Sequence, residues 1–183
     1  MAGAILGPVG DFCHVFTETT GYPQGVFAFY FWKIPFWVPL LFGGAALMIG
    51  LSHPFLDRLF KAPLSRPGSQ DWKSIVCGLV VFIALYSLSG FLPWEAGGFS
   101  DIILAMGGLG VWGILDRTWQ GILFGILTAI VGTFIEIILV KIGAFYYLPH
   151  ASNVWGVASW LPWIYIAASV TVGNLGRKLP PRN

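Results

Sequence analysis

Charge is what this chain has least of. Only 10% of its 183 residues are Asp, Glu, Lys or Arg, against about 25% in an ordinary soluble domain. Meanwhile 56% are hydrophobic and the mean hydropathy is +0.77. A soluble fold has no means of hiding that much apolar surface, so the composition reads as an integral membrane protein. The net charge of +2 comes from scattered cations, which leaves no basic face for nucleic acid. Cysteine is equally sparse. Cys13 and Cys77 lie in apolar runs, where a thiol behaves as a small hydrophobe, so no disulfide framework is read. Also missing are a convincing ligand set around His14, His53 or His150, a Ser, His and Asp cluster, paired intramembrane carboxylates and an H-E-x-x-H motif. The expectation is a non-enzyme with no catalytic residue, no metal and no cofactor.

A spanning helix needs about 20 mostly apolar residues. Residues 34–51, 75–94, 119–140 and 154–175 supply four such runs, and 97–115 a fifth if Asp101 sits in its first turn. Residues 2–16 form a short or tilted first helix; without a basic start or a small-residue cleavage site it is read as retained rather than as a signal peptide. The expectation is an all-α, six-helix membrane bundle in one domain, 1–183. Its only sizeable polar connection is 53–73, rich in Pro, Gly and Ser. Arg58, Lys61, Arg66 and Lys73 lie in that connection, and Arg177, Lys178 and Arg182 in the tail. The positive-inside rule therefore places both, and with six helices both termini, in the cytosol.

Small residues mark where helices can approach in lipid, among them Gly121 and Gly125 as a GxxxG pair. They serve packing within the bundle or, as the alternative, a homo-oligomer contact. In the closing stretch "SWLPWIYIAASVTVGNLGRKL", Ser159, Pro162, Ile166, Ser169, Gly173 and Arg177 recur at three- or four-residue steps, one stripe facing the bundle. Asn174 lies beside it, within reach of a neighbour's backbone. "PFLDR" at 54–58 and "GILDR" at 113–117 form a weak internal echo. It is read as a shared way of ending a helix, with the Asp free to N-cap the next segment; chance and an ancient duplication both remain open.

That closing stretch resembles the sixth helix of the Insig family, the sterol-binding insulin-induced-gene proteins of the endoplasmic reticulum. "FWVP" at 36–39, "GLSHPFLDR" at 50–58, Trp72 and "GVWGILDRTWQGILFGI" at 110–126 agree in the same order. The resemblance implies six spans with cytosolic termini and a non-enzymatic lipid sensor that acts on a membrane-protein partner, as animal members hold Scap. The chain's brevity points to a bacterial homologue in a cytoplasmic membrane, or the endoplasmic reticulum if eukaryotic.

By the resemblance, Phe82, Tyr86 and Trp112 fall on the helices that line the family's sterol site, and Asp116 on the aspartate needed for partner association. Glu136, deep in an apolar run, is an intramembrane functional-site candidate in its own right, able in neutral form to donate to a ligand; the alternative is a bond to a Ser, Thr or Tyr of the bundle. Trp163 adds apolar wall. For the aromatics the alternative is a core or lipid-facing role, and for Asp116 an N-cap. With no buried cation to meet a phosphate, the expected ligand is a neutral lipid, sterol- or diacylglycerol-like. A small transporter of a lipid or apolar solute is the alternative, and would show an inverted repeat.

Overall fold

The computed structural model describes residues 1–24, 30–31, 33–61 and 70–179. Among them lie six helices: α1 Ala2–Phe16, α2 Trp37–Leu59, α3 Trp72–Ser89, α4 Phe99–Leu115, α5 Trp119–Lys141 and α6 Leu161–Lys178. Two antiparallel ribbons of two-residue strands sit between them, β1 Thr20–Gly21 with β4 Tyr146–Tyr147, and β2 Tyr30–Phe31 with β3 Ile34–Pro35. By length and composition α2, α3 and α5 are each able to cross a bilayer, and α1 and α4 are shorter apolar helices.

α6 is the axis. α2, α3, α4 and α5 all pack on it, and α1 is set against α2 and α3. This explains its polarity: Ser169, Thr171 and Asn174 are buried by protein, where hydrogen bonds rather than lipid solubility decide what is tolerated. The outer helices are reversed, with Leu47, Met48, Ile130 and Phe134 exposed on them. Glycines let backbones close on the axis. A Cβ on Gly108 would meet the carbonyl of Trp163, and one on Gly176 the carbonyl of Gly50. That second carbonyl is available for a local reason: Pro54, four residues on, has no N–H to bond it.

Three expectations about helix ends need correction. α2 does not stop at residue 51 but runs through Pro54 to Leu59, so 53–59 is helix, α3 already begins at Trp72, and the polar connection shrinks accordingly. Most of its Pro, Gly and Ser, at 62–69, lies outside the described residues. Asp57 is therefore inside a helix, and it does not cap the next one. At the α4–α5 turn the N-cap is Thr118, whose hydroxyl accepts from the Gly121 N–H at 3.0 Å; Asp116 instead accepts from that same hydroxyl at 2.6 Å. α6 starts at Leu161 rather than near 154, because Trp155 and Gly156 take φ of +50° and +94°, which no right-handed helix admits.

Candidate functional site

One end of the bundle carries a buried charge cluster. Arg177, in the last turn of α6, holds Asp57 of α2 bidentately, Nε to Oδ2 at 2.6 Å and Nη2 to Oδ1 at 3.0 Å. Its Nη1 donates to Asp116 Oδ2 and to Asn174 Oδ1, both at 2.9 Å. The Asn174 amide donates to the Leu115 carbonyl at 3.1 Å, and Gln120 Nε2 reaches Asp57 at 3.3 Å. Side-chain exposures are 2% for Arg177, 8% for Asp57 and 0% for Asp116. Two carboxylates on one guanidinium leave a net negative charge, which the Thr118 hydroxyl, the Gln120 amide and the N-terminus of α5 offset. One turn deeper, the His53 ring lies over Gly173, and its Nε2 is 3.1 Å from Ser169 Oγ.

Two cavities, about 450 and 680 Å³, flank the inner face of α2, the smaller reaching along α6 as far as Gly176 and Leu179. The smaller lies between α1, α2, α3 and α6, the larger mainly between α2 and α5. Glu136, Tyr86 and Tyr165 line both. The Glu136 carboxyl accepts from two phenols, Tyr147 at Oε2 and Tyr165 at Oε1, each at 2.7 Å. Tyr22 donates to Asp11 on the larger cavity. Phe82 stacks on Tyr86, one turn along α3, with centroids 6.1 Å apart and planes 11° off parallel. Among the described residues no Lys or Arg lines either cavity, and no group of three or more His, Cys, Asp or Glu is placed to hold a metal ion.

The family model of the insulin-induced proteins, INSIG, matches residues 24–180. The chain belongs to the INSIG family. Insig proteins are regulatory, non-enzymatic integral membrane proteins. Among relatives, the insulin-induced gene 1 protein of Danio rerio is 31% identical over 98% of this chain and 69% of its own length, and that of Homo sapiens 31% over 97% and 62%. The chain thus spans about two thirds of these relatives. The crystal structure of a mycobacterial Insig homolog, MvINS from Mycobacterium vanbaalenii, superposes with a TM-score of 0.84 at 26% identity, covering 100% of this chain and 93% of that one. A cross-linked cysteine variant of MvINS, a trimer, gives 0.83 at 27% and the same coverage.

In this Insig fold Phe82, Tyr86 and Glu136 come together on the cavity walls. Trp112 and Trp163 do not: both stand behind the walls. Trp112 packs on Val111, Ala167 and Val170 and donates its indole N–H to the Thr118 carbonyl at 2.9 Å, tying the end of α4 to the start of α5. Trp163 packs in the core at the α4–α6 crossing. Asp116 is fully buried with both oxygens occupied. Gly125 faces Ile166 and Gly173 faces His53, while Gly121 sits against Asp116 and Thr118 of its own turn. Sequence reasoning missed the ion cluster, although "LDR" twice and Arg177 on the inward stripe were its signal. It also missed Tyr147 and Tyr22, which lie outside the helices and carry no periodicity.

Proposed function

We propose that this chain is a membrane lipid sensor that holds one neutral lipid, sterol- or diacylglycerol-like, between α2 and the α3, α5 and α6 walls. The observation that carries this reading is the convergence of two apolar cavities on Glu136, with no Lys or Arg, among the described residues, on either lining to pair with a phosphate. Phe82 and Tyr86 supply aromatic wall, Glu136 and its two tyrosines the polar floor, and Trp112 and Trp163 act indirectly by holding α4 against its neighbours. Aromatic and aliphatic walls with a few converging polar groups suit such an amphiphile. Six apolar segments support six spans, and the cations of the α2–α3 connection and the tail then support both termini in the cytosol.

Lipid occupancy would be passed to a membrane-protein partner, as expected of a regulatory Insig protein. Asp116 then shapes the partner-facing surface by fixing Arg177 and the α4–α5 turn, since its carboxylate is not itself accessible. A homo-oligomer, as in the MvINS trimer, is the corresponding proposal for self-association.

The test is mass spectrometry of the protein purified from its membrane in nanodiscs. A stoichiometric neutral lipid, displaced by added dioleoylglycerol or cholesterol, is the expected result. Recovery of phospholipid alone, with neither probe binding, would overturn the reading.

A further inference from the structure

The larger cavity has a polar end, and the β1–β4 ribbon closes it. Side chains alternate along a strand, so Thr20 and Tyr22 emerge on one face of this segment. Tyr147 is paired directly opposite Thr20 and shares that face. All three line the cavity. Gly21, whose side would be the other face, is covered by Tyr146. A ribbon of only two residue pairs thus turns three hydroxyls toward one space.

Two of these hydroxyls are committed. Tyr22 donates to Asp11, and Tyr147 to Glu136. The third is not: Thr20 is 6% exposed, and its Oγ1 has no hydrogen-bond partner among the described residues. Buried hydroxyls are rarely left so. Farther along the cavity the hydroxyls of Ser52 and Thr128 are turned to carbonyls of their own helices, Met48 at 2.7 Å and Phe124 at 2.8 Å. Among the described residues, a second buried polar atom without a partner on this lining, His14 Nδ1, sits over Gly90. Tyr86 and Tyr165 add phenols beside Glu136, and the remainder of the wall is Leu, Val, Ile, Met, Phe, Trp, Ala and Gly.

We propose that the β1–β4 ribbon reads the head of the bound lipid, with the Thr20 hydroxyl hydrogen-bonded to a free alcohol of an amphiphile whose apolar part runs from the ribbon toward the Arg177 end. This deepens, and rests on, the reading of the cavity as a neutral-lipid site. The ligand class it names is narrower: a lipid carrying an unblocked hydroxyl, whether a glyceride or a sterol, in preference to a fully esterified or etherified one. Threonine suits the task because its hydroxyl both donates and accepts, so it can meet an alcohol in either sense.

The experiment compares matched probes that differ only at the alcohol, using the full chain in nanodiscs: 1,2-dioleoylglycerol against its 3-O-methyl ether, and cholesterol against its 3-O-methyl ether. Wild type is expected to prefer the free alcohol of at least one pair by about tenfold, the scale of one well-made hydrogen bond, and the pair that discriminates names the source. Thr20→Val, which keeps the shape and removes the hydroxyl, should bring alcohol and ether to equal affinity. Thr20→Ser should keep the preference, separating loss of the hydroxyl from loss of fold. Equal binding of alcohol and ether by wild type, or an undiminished preference in Thr20→Val, would overturn the assignment while leaving the cavity a lipid site. Binding of none of the four probes would instead remove the neutral-lipid reading itself, and this proposal with it.

Discussion

Asp57 and Asp116 close on the same guanidinium, one from each half of the "LDR" echo, and Arg177 of α6 is the cation that joins them. The echo is therefore a spatial pairing: two helices that end at the same level each deliver a carboxylate to one arginine. Removing the arginine would strand two buried negative charges. Arg177→Leu is expected to cost about 3–5 kcal/mol, the scale for breaking a buried pair by deleting one partner. Asp116→Asn, which leaves Asp57 in place, should cost less. Thermal unfolding in detergent measures both. Equal melting temperatures for wild type and Arg177→Leu would show that the cluster is not closed in the membrane.

The α2–α6 crossing predicts an asymmetry between two glycines. A Cβ on Gly50 would find only ordinary contact, nearest atom Gly176 Cα at 3.7 Å, whereas a Cβ on Gly176 would run into the Gly50 carbonyl. Gly50→Ala should therefore be neutral or slightly stabilising, because alanine favours helix by up to about 1 kcal/mol. Gly176→Ala should lower the melting temperature markedly. If the two substitutions behaved alike, the backbones would not meet there.

Glu136 is expected to report on both stability and ligand. Glu136→Leu leaves the Tyr147 and Tyr165 hydroxyls without their acceptor, about 1–3 kcal/mol for each that stays unsatisfied. Glu136→Gln keeps one acceptor oxygen and should lose roughly half as much. Competition with labelled dioleoylglycerol in nanodiscs should weaken in the same order. A Leu variant as stable as wild type would argue against the two-tyrosine clasp.

Trp112→Ala should behave differently from Phe82→Ala. The indole lies behind the cavity and anchors the α4–α5 turn, so its loss should cost about 3–5 kcal/mol in stability while the remaining folded protein binds lipid as before. Phe82→Ala changes a wall residue and should weaken binding. The pair is scored by melting temperature against lipid affinity; the reverse pattern would put Trp112 on the ligand.

Orientation is open to direct labelling. Asp71, just before α3, and Glu95, between α3 and α4, are both exposed. With Cys13 and Cys77 replaced, Glu95→Cys should react with an impermeant maleimide on intact cells and Asp71→Cys only after permeabilisation. The opposite result would invert the bundle.

Much of this protein was legible in its sequence because lipid imposes a one-dimensional rule: a spanning stretch must be apolar for its whole length. Apolar runs placed α4 and α5 within a residue or two of their observed ends, 2–16 was read as a short or tilted helix, and the 3.6-residue period placed Ser169, Gly173 and Arg177 on the inward face of α6. The motifs that carry the Insig likeness were equally readable, since buried polar residues at fixed spacing are not dictated by hydrophobicity. What the sequence could not decide was pairing. Pro54 could have ended α2, and only the structure shows the helix running through it with the Gly50 carbonyl set against Gly176; whether Asp116 caps a helix or holds Arg177 depends on where α6 lies. The same holds for the cavity. Phe82 and Trp112 are both aromatic, both in apolar helices, and only the packing of α4 against α6 puts one on a wall and the other behind it. Thr20, Tyr22 and Tyr147 carry no helical period at all, and only the closing of a two-stranded ribbon turned their hydroxyls to a common side.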